Sequence, residues 1–108
     1  MAFLFKRNTS GRTELTQEMK RMGGLLAQIG VGPLTEWLKA SNMEREVYVF
    51  YNGRHVNKVE VQGITREEVG EYRAQINVYA ENRRDSAKDS KVLGPVRRLL
   101  RKEGYEQF

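Results

Sequence analysis

Apolar positions recur along the chain in two rhythms, one helical and one alternating, and the shifts between them predict its elements. Leu15, Met19, Met22, Leu26 and Ile29 stand 4, 3, 4 and 3 apart, which is one face of a helix. Thr13 is placed to cap its first turn, and Glu14 suits the positive end of the helix dipole. Gly23-Gly24 falls inside the pattern, and each glycine costs about 1 kcal/mol against alanine in a helix interior. The helix is expected to kink there, to end there, or to bring another backbone close. Its apolar face has two readings. It is a core face, or the same five residues are a self-association surface.

Gly30-Val31-Gly32-Pro33 stops this helix and starts a second, since proline fits the first helical position. Leu34, Trp37 and Leu38 then share a face, Trp37 is expected to anchor the core, and Ser41-Asn42 is the exit. Glu46 to Tyr51 is dense in β-branched and aromatic residues and predicts a strand. Asn52-Gly53 suits a two-residue type I′ turn, with Arg54 to Val61 returning as the second strand. That turn pairs Tyr51 with Arg54, Val49 with Val56 and Val47 with Lys58. It leaves Val59 and Val61 opposite in phase to Val56, so a bulge is expected near Asn57-Lys58.

Thr65 and Glu68 have the spacing of a capping box, and Ile64 and Val69 that of a hydrophobic staple. Val69, Tyr72, Ile76, Tyr79 and Arg83 follow at helical spacing. A rival reading takes Gln75-Ile76-Asn77-Val78 as an alternating strand after a short helix. Asn82 to Ser90 is polar. A final helix is expected from Val92 or Pro95 to Glu103, with Gly104 as its stop and Val92, Leu93, Val96, Leu99 and Leu100 as its apolar side. Phe3-Leu4-Phe5 is either a strand or arm docked on the core, or an exposed tip for a partner.

The expected architecture is a small single α+β domain in the order α-α-β-β-α-α, with helices packed on a two- or three-stranded antiparallel sheet. Its parts are an N-terminal arm (1–12), a core (13–84) and a basic C-terminal helix and tail (85–108). The edges of so small a sheet are candidate sites for β-addition by a partner.

Composition narrows the chemistry. The 108 residues include no Cys, which excludes a disulfide scaffold, a zinc finger and thiol chemistry. No apolar run is long enough to cross a membrane, and the N-terminal apolar residues precede their charges, the reverse of a secretory signal. A cytoplasmic location is expected. His55 is the only histidine, and Glu67, Glu68 and Glu71 fall where a helix start favours carboxylates. No phosphate loop or nucleophile elbow is present, and Gly30-Val31-Gly32 is too short for a dinucleotide fingerprint. The expectation is a binding protein, not an enzyme, with no catalytic residues, metal or cofactor.

Charge placement carries the remaining signal. The net charge is +5, but residues 1–82 hold 11 Lys+Arg against 10 Asp+Glu, whereas residues 83–102 hold 8 against 2. Arg83, Arg84, Lys88, Lys91, Arg97, Arg98, Arg101 and Lys102 carry that surplus. Three readings compete: a phosphate-binding surface for nucleic acid, an amphipathic helix docking its leucines on a protein or anionic membrane, and a solvated face. The first leads, as a small basic binding protein that contacts nucleic acid or a nucleoprotein assembly. Tyr48, Phe50 and Tyr51 are candidate base-stacking residues or core. The alternative function is a protein-interaction or assembly subunit, including a homo-oligomer, using the Leu15–Ile29 face, the hairpin edge or the N-terminal arm.

Overall fold

The helical stripe from Leu15 folds as a helix, but much of the chain after it is strand. A computed structural model describes residues 2–52, 55–79 and 86–108. In chain order these form β1 (Ala2–Thr9), α1 (Arg12–Gln28), β2 (Gly32–Ala40), β3 (Met43–Asn52) and β4 (His55–Arg66). A 3-10 turn (Glu67–Val69), β5 (Glu71–Tyr79), α2 (Ser86–Lys102) and β6 (Glu106–Gln107) follow. The strands make one antiparallel sheet in the order β2-β3-β4-β5-β1-β6. This corrects the expected α-α-β-β-α-α order on two or three strands. Among the described residues there are two helices and six strands, and two of the four expected helices are strands.

The reasons are local. Between 34 and 37 the apolar spacing of three imitates a helix, but it is the spacing of a bulge. Leu34, Thr35 and Glu36 all face Val47, so β2 carries extra residues that break the period of two. In β5 the alternating set wins over the helical one. Ala74, Ile76 and Val78 are buried, while Val69 of the expected staple is 69% exposed. Thr65 caps no helix. Its backbone N–H donates to the Asn42 carbonyl at 3.0 Å, joining β4 to the β2–β3 turn.

The β3–β4 hairpin closes one residue later than expected. Asn52 pairs with His55, Tyr51 with Val56 and Val49 with Lys58, in a register with no shift. The bulge expected near Asn57-Lys58 is therefore absent, and Gly53 of the expected turn lies outside the described residues. β1 is a full strand held between β5 and β6, with Ala2 opposite Tyr79 and Thr9 opposite Tyr72.

α1 starts at Arg12 rather than after a Thr13 cap. Gly11 holds the N-cap position, and the Ser10 N–H donates to the Glu14 carboxylate at 3.1 Å. It runs through Gly23-Gly24 without ending, with Gly23 buried and open space beside Gly24. A Cβ at Gly63 on β4 would stand 2.7 Å from the Met19 sulfur, so α1 crosses the sheet over that glycine.

Both helices stop in the same way. Val31 N–H bonds the Leu26 carbonyl (2.9 Å) and Gly30 N–H that of Ala27 (3.1 Å), while Tyr105 N–H bonds Leu100 (2.9 Å) and Gly104 N–H Arg101 (3.2 Å). These are Schellman motifs, in which a residue at positive φ turns the chain back. Gly30 and Gly104 supply it at φ 89° and 84°.

One core unites these elements. Leu15, Met19, Met22 and Leu26 of α1, Val96 and Leu100 of α2, and Phe5, Val59, Val61, Ala74, Ile76 and Val78 of the sheet belong to a single buried cluster. Both helices thus cover one face of the sheet, and no described helix covers the other. No described helix is long and apolar enough to cross a membrane.

Candidate nucleic-acid interface

α2 is amphipathic by spacing, and its placement decides which side is free. Val96 and Leu100, four apart, are 1% and 0% exposed, and Leu99 packs against the same core. Arg98, Arg101 and Lys102 stand at i, i+3 and i+4 and therefore share the opposite side. All three are exposed. Lys88 and Lys91 fall in register with that stripe along the helix, though their side chains lie outside the described residues, as do Arg83 and Arg84 altogether. From 88 to 102 the stripe runs about 21 Å at 1.5 Å per residue.

Arg97 behaves differently from the other candidates. Its guanidinium lies 4.4 Å from the centre of the Phe3 ring, and its Nε is buried without a hydrogen-bond partner. It packs α2 onto β1 through a cation–π contact. Pro95 sits inside α2 and removes one backbone donor there. The helix nonetheless continues to Lys102, held by Val96 and Leu100 and closed by Gly104.

The far end of α2 is fixed by a buried carboxylate. The Glu18 side chain is 8% exposed. It accepts from Arg7 Nη1 at 3.1 Å, from Arg21 Nε at 3.0 Å and from the Tyr105 hydroxyl at 3.0 Å. Arg21 also binds Glu103. Burial by itself would raise the Glu18 pKa, but the bonds from Arg21 and Tyr105 and the nearby arginine charges outweigh it and hold the group below its ordinary value. The Tyr105 phenol is pushed well above its ordinary value, first by burial and then by the Glu18 charge and its hydrogen bond. Arg21 is held more firmly protonated by its bonds to Glu18 and Glu103. This cluster ties α1, β1 and the residues after α2 together, and so orients the basic stripe.

Sequence reading missed the cluster, although a signal was present. Glu18 is three residues after Leu15 and four before Met22, inside the apolar stripe of α1. A carboxylate at a core position requires a cationic or hydrogen-bonding partner.

The surfaces considered for a protein partner are occupied within the chain. Leu15, Met19, Met22 and Leu26 are at most 6% exposed, and Ile29 alone of that set is open, at 39%. The hairpin strands β3 and β4 are flanked by β2 and β5, and the N-terminal residues are β1 inside the sheet. The side chains of Trp37, Tyr48, Phe50, Tyr51 and His55 lie outside the described residues. Among the described residues no group of three or more His, Cys, Asp or Glu is gathered to hold a metal ion. A cleft of about 240 Å³ lies between the start of α1 and the β2–β3 turn. Its cations are neutralised locally, Arg12 by Glu67 at 2.6 Å and Lys39 by Glu44 at 3.7 Å. Comparison with known families, curated proteins and solved structures returned no match.

Proposed function

We propose that this protein is a small basic binding module that contacts nucleic-acid phosphates through the outer side of α2. The observation that carries the reading is the division of that helix. Its described apolar residues Val96, Leu99 and Leu100 are spent on the protein's own core, and its described exposed side is the cationic stripe Arg98, Arg101 and Lys102. A helix meant to dock leucines on a partner would leave them free. Arginine suits phosphate because its planar fork offers paired donors, and displaced counterions drive binding.

The test is a titration of the full chain with single- and double-stranded DNA and RNA at two salt concentrations, beside an Arg98→Ala/Arg101→Ala/Lys102→Ala variant. Arg97 is left in place because it packs on Phe3. Binding that weakens with salt and with the substitutions is expected. No binding at the lower salt, or equal binding by the variant, overturns the proposal.

A further inference from the structure

The sheet face turned away from the helices carries cations and aromatic rings beside Leu4, Met43 and Ile64, over a buried polar row of Glu60, Gln62 and Asn77. Register places Arg45 and Gln62, Lys58 and Tyr79, and Lys6 and Gln75 on it as cross-strand pairs. Two of its carboxylates each stand beside two cations. Glu60 has Lys58 at 3.5 Å and Arg45 at 3.9 Å, and Glu71 has Arg73 at 3.5 Å and Arg66 at 3.9 Å. Glu106 stands opposite Lys6 on the same face, so among the described residues Lys6, Arg45, Lys58, Arg66 and Arg73 share it with Glu60, Glu71 and Glu106, a balance that suits a polyanion.

Two rings sit among these cations. Phe108 is 52% exposed, with Lys6 Nζ 5.0 Å and the Arg73 guanidinium 5.9 Å from its centre. Lys58 Nζ stands 4.7 Å from the centre of Tyr79. The amides between them are already engaged. Gln62 donates to Glu60 at 2.8 Å and Gln75 to Asn77 at 3.0 Å, so they form a fixed floor rather than free readers of base edges.

We infer that this open face binds single-stranded nucleic acid without strong sequence preference, with bases stacking at Phe108 and Tyr79 and phosphates at Lys6, Lys58 and Arg73. The inference rests on the reading of α2 as a phosphate-binding stripe, and adds the strand state of the ligand. An exposed ring such as Phe108 and a half-buried one such as Tyr79 reward unpaired bases, whose flat faces a duplex keeps in its own stack. From β3 to β6 the face is about 19 Å wide at ~4.8 Å per strand, enough for several nucleotides.

The two surfaces meet at one edge. Lys6, Arg7, Asn8, Gly104 and Glu106 line a cleft of about 140 Å³ there, directly after the end of α2. Lys6 belongs to the open face, and Arg7 reaches Glu18 on the helix side. A strand held on Arg101 and Lys102 can round this edge onto Phe108.

The experiment is fluorescence anisotropy with a labelled thymidine oligomer and a labelled duplex of equal length, using the full chain, Phe108→Ala, Lys58→Gln and the α2 triple variant. Circular dichroism verifies that each variant is folded. Phe108→Ala is expected to weaken single-strand binding about tenfold and to leave duplex binding unchanged. Lys58→Gln is expected to weaken the oligomer by a smaller factor. Unchanged oligomer binding by both variants, with loss in the α2 variant, overturns the open-face site and leaves the α2 reading standing. Equal weakening of oligomer and duplex by Phe108→Ala overturns the single-strand assignment. No binding of either ligand by the unmodified chain overturns both proposals.

Discussion

The hydroxyl of Tyr105 donates to Glu18 across 87 positions of sequence, at 3.0 Å, and closes the molecule on itself. The bond fastens the residue after the α2 cap to the middle of α1. Tyr105→Phe keeps the ring in the core and removes only the hydroxyl. It is expected to lower stability by about 1.5 kcal/mol, the usual scale for a hydrogen bond to a charged group, measured by urea denaturation. Glu18→Ala removes the acceptor shared by three donors. Arg7 and Arg21 are each more than a third exposed, so their stranded charges are hydrated. The expected loss is therefore about 2 kcal/mol, below the range for a wholly buried broken pair.

The same contact sets two pH responses. The Glu18 pKa is lower folded than unfolded, so its contribution is present above the ordinary value of 4.5 and is lost as pH falls through the folded value. Glu18→Gln is expected to flatten the fall in denaturation midpoint between neutral pH and strong acid. A midpoint that falls as steeply in the variant contradicts this. For Tyr105 the sign reverses. Its pKa is raised in the folded state, so its contribution is full below about pH 10 and is lost at higher pH. In an alkaline absorbance titration of the five tyrosines, a late component is expected that Tyr105→Phe removes.

Met22 and Ile29 separate a core face from a surface face on one helix pattern. Met22 is fully buried and Ile29 is 39% exposed. Met22→Ala is expected to cost about 3 kcal/mol and Ile29→Ala about 0.5 kcal/mol or less, by denaturation. Near-equal costs contradict the assignment of this stripe to the core.

Gly63 marks where α1 crosses β4. A valine there meets the Met19 sulfur and Leu15. Gly63→Val is expected to destabilise by about 2 kcal/mol through overpacking. Adding Met19→Ala relieves the clash, so the double variant should be more stable than the sum of the single effects requires. Strict additivity in a thermal-unfolding cycle contradicts the crossing.

How far the sequence discloses this fold depends on the element. α1 is legible because Leu15 to Leu26 keep one period through two turns and more. The stops at Gly30 and Gly104 are legible because a helix end at positive φ favours glycine. β2 and β5 are not. A bulge opposite Val47 turns alternation into a spacing of three, and Ala74 and Val78 carry the strand signal more quietly than Tyr72 and Tyr79 carry the helical one. The open face disappears with those strands, since Lys58, Arg73 and Phe108 are brought together only by the sheet. The basic surplus of the last quarter was readable by counting. Which of its members are free was not, because Arg97 stacks on a ring from β1 and nothing near it in sequence says so.

The most direct measurement of the central claim is the slope of log affinity against log salt for the unmodified chain and for Arg98→Ala/Arg101→Ala/Lys102→Ala. Each phosphate neutralised contributes about 0.7 to 0.9 to that slope. A shallower slope is expected in the variant, by about 2 to 3, with the fold intact. Equal slopes, or no binding by the unmodified chain at low salt, would contradict it.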